Sequence, residues 1–265
     1  MPRKAQDKLL ACLLLVLHIP RTLIGRNNNC LTTPFAWRCM HASSPAPTRT
    51  HAPIELLIFD LDGTLVDTAL DLAHAVNFAL QALGKTPLAL EEVLRMVGDG
   101  ARTLLTRALG QPTEEELLFA LQKFRAHYAA HLADHSKPYP GIINVLAHFD
   151  QTKKAVLTNK PHEFTLSLLE QLHLSHAFVA IQGAQPQLPL KPDPTSLQHL
   201  LALMRVPASR ALMIGDSEND ILAGQAAGTM TCAATYGFRP AKKLLALAPD
   251  FVIHAPRDLL TLGYA

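Results

Sequence analysis

The feature that most limits what this chain can fold into is a set of short, unbroken apolar runs separated by segments of helical length. Leu56–Phe59 reads Leu-Leu-Ile-Phe, and Ala155–Leu157, Phe178–Ile181, Ala211–Ile214 and Phe251–Ile253 repeat the pattern downstream. A strand that is apolar at every position has both faces covered, as in a parallel sheet. Helical periodicity fills intervals between the runs, at Glu163–Leu172, Thr195–Met204 and Asp220–Ala227. That alternation predicts an α/β fold with a Rossmann-like, mostly parallel sheet core. Ligands of such sheets bind outside the carboxyl ends of the strands, so the residues just after each run carry the functional information.

One interval breaks the alternation. Between Thr68 and Lys137 no strand-like run occurs. Leu72, Val76, Leu80 and Leu83 share one helical face, which Gly84 is placed to close. Thr113 and Glu116 form a T-x-x-E capping box, predicting a long helix to about Asp134, and Pro138, Pro140 and Gly141 end the stretch. The spacing therefore predicts a catalytic core made of 54–67 and 138–265, with a small inserted helical cap over 68–137. Residues 1–53 read as a poorly ordered leader and linker.

The formal charge of +2 conceals two segments of opposite sign. Residues 1–53 hold seven bases and one acid, whereas the rest holds 17 bases and 21 acids. A mildly acidic body with scattered bases lacks the basic stripe that nucleic-acid binding requires. In the leader, Arg3, Lys4 and Lys8 precede the apolar Leu9–Ile19. This run is too short to span a bilayer, which takes about 20 residues. Two expectations follow for it: an upstream extension with Met40 as the start, or a targeting or anchoring signal in residues 1–20. The Pro-rich Ser43–Pro53 reads as a linker. Cys12, Cys30 and Cys39 lie in the leader, leaving Cys232 alone in the body. A single thiol forms no internal disulfide, so the body suits a reducing, cytoplasmic setting, with Cys232 as buried packing.

The first run leads directly into Asp60-Leu61-Asp62-Gly63-Thr64. Two carboxylates that face the same side of a strand end repel one another unless a cation or a shared proton relieves them. The pair invites a hard divalent metal, though an Asp-Gly turn in an ordinary loop has the same sequence. Later strand ends add to it. Ala155–Leu157 delivers Thr158 and Asn159, a hydroxyl and an amide suited to phosphate oxygens. Lys191 stands between Leu190 and Pro192, and Ala211–Ile214 delivers Asp216 and Asp220 one helical turn apart. His127, His131 and His135 share a helical spacing, but with no carboxylate or cysteine arranged beside them they read as a polar face.

Taken in order, Asp60-x-Asp62-Gly63-Thr64, Thr158-Asn159, Lys191 and Gly215-Asp216-x-x-x-Asp220 resemble the four motifs of the haloacid dehalogenase-like superfamily of aspartyl phosphotransferases. The resemblance covers about Ile54 to Leu262 and is greatest to the phosphoglycolate phosphatase group. The segments that carry it are Phe59–Thr68, Val97–Leu109, Tyr139–Gly141, Thr158–Pro161, Lys191–Pro194 and Gly215–Gly228. The chain departs from that group at Gly183-Ala184-Gln185-Pro186-Gln187, where an acidic residue usually follows the glycine.

The resemblance implies a magnesium-dependent phosphomonoesterase in which Asp60 is the nucleophile that forms an aspartyl-phosphate, and Asp62 the general acid and base. It implies magnesium at Asp60, the Asp62 main-chain carbonyl and Asp216, with Asp220 behind them orienting Lys191 or a metal-bound water. Phosphate would lie on Lys191, Thr158 and the Asn159 backbone. In the cap, Arg102 follows a Gly98-Asp99-Gly100 turn and is a candidate partner for a substrate carboxylate. Lys160, after Asn159, is a second candidate for substrate specificity, with a surface position as the alternative. The expected substrate is 2-phosphoglycolate. Another sugar phosphate, such as N-acetylmuramic acid 6-phosphate, is the alternative within the same chemistry. A phosphate-sensing protein without turnover is the alternative from another class. The partner is a small phosphorylated metabolite, and oligomeric state is left open.

Overall fold

The computed structural model describes residues 53–262, so the expectations for the leader and its three cysteines lie outside the described residues. Its strands are β1 (Leu56–Phe59), β2 (Val66–Asp67), β3 (Lys137–Pro138), β4 (Lys153–Pro161), β5 (Ala180–Ala184), β6 (Ala211–Gly215), β7 (Met230–Ala234) and β8 (Phe251–Ile253). Its α-helices are α1 (Ala69–Ala82), α2 (Leu90–Leu94), α3 (Gly100–Leu109), α4 (Glu114–Ala130), α5 (Ile142–His148), α6 (His162–Gln171), α7 (Thr195–Met204), α8 (Glu218–Ala227) and α9 (Ala241–Leu245).

Six strands form one parallel sheet in the order β5-β4-β1-β6-β7-β8. All four residues of β1 are buried, and their side chains alternate between two apolar clusters. Leu57 and Phe59 join the larger cluster, while Leu56 and Ile58 pack with Leu197, Leu200 and Leu201 of α7 on the other face. This period of two explains why the run has no polar member. Each such side chain contributes about 1.5–3 kcal/mol on burial. Because β1 lies between β4 and β6, the chain leaves it at the point where strand order reverses. Phe59 pairs with Val156 and Ile214, so the residues after β1, β4 and β6 reach one crevice together.

Four helices, α1 to α4, follow β2 and precede β3, and these two short strands pair antiparallel through Val66 with Pro138 and Asp67 with Lys137. Helix α1 buries Leu72, Val76 and Leu80 as its periodicity predicts and ends before Gly84. At the start of α4, Thr113 Oγ1 accepts from the Glu116 N–H at 3.2 Å, and Glu116 Oε2 accepts from the Thr113 N–H at 2.8 Å. That helix stops at Ala130, not near Asp134, with His131 as its last cap. Only His127 of the three spaced histidines is therefore helical. His135 instead sits on Asp71 of α1, whose carboxylate accepts from the His135 and Ser136 N–H groups at 3.0 and 2.7 Å.

Two further boundaries differ from the sequence reading. The expected run Phe178–Ile181 becomes a strand only from Ala180, because Phe178 turns its ring edge-on to Phe59 at 6.4 Å. Strand β7 carries no long apolar run, since Thr231, Cys232, Ala233 and Ala234 are small. It is nevertheless fully buried, with Thr231 satisfied by Asp250 Oδ2. Cys232 is buried there as packing, and burial pushes its thiol up.

Candidate active site

Asp60 is the first residue beyond β1, and its N–H donates to the Ile214 carbonyl at 2.9 Å. The next four residues make a tight loop in which the Gly63 N–H returns to the Val66 carbonyl at 2.9 Å. Gly63 has φ +84°, and a Cβ there would lie 2.3 Å from Asp216 Oδ2. Glycine is thus required twice, for the left-handed backbone and for the close approach of the β6 loop. Asp216 is fixed by the Phe238 N–H on Oδ2 at 2.7 Å and by Thr64 Oγ1 on Oδ1 at 3.2 Å.

Asp220, in the first turn of α8, folds back so that Oδ2 accepts from the Ser217 N–H at 3.0 Å and the Ser217 hydroxyl at 2.6 Å. Its Oδ1 meets Lys191 Nζ at 2.6 Å. Lys191 Nζ also lies 2.7 Å from the Leu157 carbonyl and 3.1 Å from Asp60 Oδ1. Two of its protons thus go to Asp220 and the strand, and the ammonium pairs with the predicted nucleophile by charge alone. Burial works against the Lys191 ammonium, but Asp220 and Asp60 outweigh it and raise it above an ordinary lysine.

The Asp60, Asp216 and Asp220 carboxylates each place an oxygen within 4.8 Å of the others, all buried. One lysine among three carboxylates leaves a charge of minus two. Burial, then the charges of Asp60 and Asp220, push Asp216 well above the ordinary carboxylate range, despite the Phe238 and Thr64 donors. Asp60 Oδ1 accepts no hydrogen bond of good geometry. An under-donated oxygen, a hard oxygen donor set and a double negative charge fit a divalent cation. Asp60 and Asp216 are the carboxylates nearest to hand for it, because Asp60 Oδ1 has no hydrogen-bond partner and Asp220, unlike either, is tied up by the Lys191 ammonium at 2.6 Å and by Ser217.

On the other side of Asp60 the partners change. Asp62 Oδ1 accepts from Thr68 Oγ1 at 2.9 Å, and Lys160 Nζ lies 2.9 and 3.1 Å from the two Asp62 oxygens. The Lys160 ammonium is buried and also donates to the Tyr128 hydroxyl of α4 at 2.6 Å. Burial opposes its charge, but Asp62 and Tyr128 raise the ammonium well above an ordinary lysine. Asp60, Asp62, Thr158, Lys160, Asp216 and Tyr128 all face one cavity, closed by Leu72, Leu104, Phe124 and Phe164.

Lys191, expected on phosphate, does not line this cavity and lies against Asp60, Asp220 and the Leu157 carbonyl instead; Arg102 and the Asn159 side chain also take other partners. Arg102 does not face the cavity: it is half-exposed on α3 and pairs with Glu114 Oε1 at 2.7 Å, because the start of α4 lies beside it. The Asn159 side chain is not free for phosphate either. It takes the Lys191 N–H at 2.8 Å and donates to the Lys191 and Gly98 carbonyls at 2.8 and 2.9 Å. Sequence reasoning missed Tyr128, Thr68 and Arg239. Tyr128 continues the buried α4 stripe of Leu117, Ala120 and Phe124, a signal that reads as packing alone. Arg239 follows the unrecognised β7 and donates Nη2 to the Val97 carbonyl at 2.6 Å.

Residues 57–234 match the haloacid dehalogenase-like hydrolase family. The chain belongs to that family. Among this family's members it is 38% identical over 213 residues to phosphoglycolate phosphatase 1 of Pseudomonas aeruginosa, covering 77% of this chain and 78% of that protein. It is 41% identical to a phosphoglycolate phosphatase of Photobacterium profundum, covering 76% of this chain and 91% of the relative. A crystal structure described as a predicted phosphoglycolate phosphatase from Haemophilus somnus superimposes with a TM-score of 0.74 at 29% identity, over 79% of this chain and 97% of that one. No helix among the described residues is long and apolar enough to cross a membrane.

Proposed function

We propose that this chain is a magnesium-dependent phosphomonoesterase that hydrolyses 2-phosphoglycolate to glycolate and phosphate through an aspartyl-phosphate. The observation that carries the reading is the pairing of two unlike aspartates at one strand end. Asp60 is held by Lys191 beside an under-neutralised acidic cluster, and Asp62 is held two residues away by Thr68 and Lys160. Relatives named phosphoglycolate phosphatase at 36–41% identity support the substrate.

Asp60 attacks phosphorus, forming an Asp60 oxygen–phosphorus bond as the bond to the ester oxygen breaks. Asp62, which acts in its protonated form once Lys160 has turned to the substrate, gives that proton to the leaving alkoxide, and Thr68 keeps it within reach. In the second half, Asp62 takes a proton from water, the water oxygen bonds to phosphorus, and the Asp60–phosphorus bond breaks. Thr158 and the Asn159 backbone line the phosphate position, and Lys191 steadies Asp60 with Asp220 behind it. Asp60, Asp216 and the Asp62 carbonyl would hold a magnesium ion, which would supply charge that offsets repulsion between carboxylate and phosphate. Helices α1 to α4 act as the cap that excludes water during the first half.

The test is phosphate release with magnesium across a panel of phosphorylated metabolites. Phosphoglycolate is expected to give the highest kcat/KM, and a clear preference for N-acetylmuramic acid 6-phosphate, or no turnover of any ester, contradicts the reading.

A further inference from the structure

The cavity holds a Lys160–Tyr128 pair of which the phosphoryl chemistry uses only the Lys160 contact to Asp62. Lys160 Nζ donates to the Tyr128 hydroxyl oxygen at 2.6 Å, so the Tyr128 proton must go elsewhere. Among the described residues no acceptor takes it, although Tyr128 is only 1% exposed. A buried hydroxyl left with a free donor costs stability unless something in the site accepts from it. Lys160 is as deeply buried, and Thr68 alone already supplies Asp62 with a hydrogen bond. Lys160 balances the single charge of Asp62, and the Tyr128 proton is the donor left over beside it.

The other basic side chains near the cavity face other partners. Arg239 gives both terminal nitrogens to the Arg95 and Val97 carbonyls and turns its Nε toward Glu218 at 3.6 Å. Arg102 points to solvent with Glu114, and Lys191 pairs with Asp60 and Asp220 and donates to the Leu157 carbonyl. The remaining wall, from Leu72, Leu104, Phe124 and Phe164, is apolar. Along β4, Thr158 and Lys160 are two residues apart and both face the cavity. Two residues of extended chain advance about 6–7 Å, which separates a phosphate on Thr158 from a second group on Lys160 by a short spacer.

We propose that Lys160 and the Tyr128 hydroxyl form a subsite for a second anionic group on the substrate, a carboxylate one or two carbons from the ester oxygen. One carboxylate oxygen accepts the Tyr128 O–H, and the other accepts a Lys160 N–H that turns to it from the second, longer Asp62 contact. This deepens the phosphoglycolate reading and rests on it. It makes β4 and α4, rather than the exposed α3, the source of selectivity, and it makes selectivity conditional on α4 lying over the crevice.

The experiment compares phosphoglycolate with ethyl phosphate, which has the same carbon count but no carboxylate. For the wild type, Lys160→Met, Lys160→Arg and Tyr128→Phe proteins, kcat and KM are measured at saturating magnesium. In Lys160→Met the preference for phosphoglycolate is expected to fall roughly 100-fold, chiefly through KM, as for loss of a buried charge partner. Tyr128→Phe is expected to lower it about tenfold, and Lys160→Arg to restore most of what Met loses. Equal losses on both esters in Lys160→Met, or an unchanged preference, overturn the subsite, because Lys160 then acts only on Asp62 or not at all. A wild type with no preference for phosphoglycolate overturns the substrate reading instead. Circular dichroism and thermal melting of each variant separate these outcomes from misfolding.

Discussion

Two surfaces meet across the cavity, and they are built by different rules. On the sheet side, each reactive group lies within a few residues of a strand end and is clamped by neighbours. Asp216 is held by Phe238 and Thr64, Asp220 by Ser217 and Lys191, and Asp62 by Thr68. On the helical side, one hydroxyl arrives near the end of a 17-residue helix, and the rest of the wall is apolar. The sheet side concentrates charge and demands fixed geometry. The helical side supplies shape and a donor that only tertiary packing brings into place. Substitutions on the first should cost turnover on every ester, and those on the second should cost discrimination or nothing.

The sharpest division is expected from Asp60→Asn, which keeps the size of the side chain but removes the nucleophile. Its kcat should fall at least about 1000-fold on any phosphate ester, measured by phosphate release. Gly63→Ala tests the clamp without touching a reactive group. Its Cβ would lie 2.3 Å from Asp216 Oδ2 at φ +84°, a strain of about 1–3 kcal/mol. Asp216 must move, so the magnesium concentration for half-maximal activity should rise about 10–100-fold.

The hinge beneath the helices offers a test of stability alone. Asp71 is buried and takes four hydrogen bonds from His135 and Ser136. Burial would raise its carboxyl, but the Ser136 and His135 donors outweigh that and lower it. A carboxyl lowered on folding stabilises above its ordinary pKa and loses that contribution as pH falls through the folded value. Asp71→Ala should therefore cost about 3 kcal/mol near neutral pH. Its thermal midpoint should converge with that of the wild type well below pH 4, where the carboxyl is protonated. The smallest effect belongs to Arg102→Ala. With Arg102 half-exposed against Glu114, KM for phosphoglycolate should change less than about twofold, and stability by less than about 1 kcal/mol. A large rise in KM would erase the distinction between the exposed α3 face and the buried Tyr128.

How much was legible follows the same division. Leu56–Phe59 and Ala211–Ile214 announce buried strands because both faces need apolar side chains, and the acids after them announce the crevice. Asp60, Asp62, Thr158, Asp216 and Asp220 could be placed together because a strand end is a local feature. Strand β7 was not legible, since Thr231 and Cys232 are buried through the Asp250 bond and close packing rather than through bulk. The Asn159 amide and Arg239 were not legible as clasps, because their partners at Gly98 and Val97 are 61 and 142 residues away. Arg102 looked functional for its charge after a glycine turn. Which way α3 faces depends on α4, and no spacing within α3 encodes that.

The central claim is that Asp60 carries the phosphoryl group between the two half-reactions. The direct measurement is acid quenching of the enzyme during turnover of phosphoglycolate with magnesium, followed by mass spectrometry of its peptides. The account predicts a transient phosphoryl adduct on the peptide containing Asp60, formed fast enough to support turnover and absent from Asp60→Asn. Turnover without that adduct, or an adduct that forms on another residue and is kinetically competent, contradicts it.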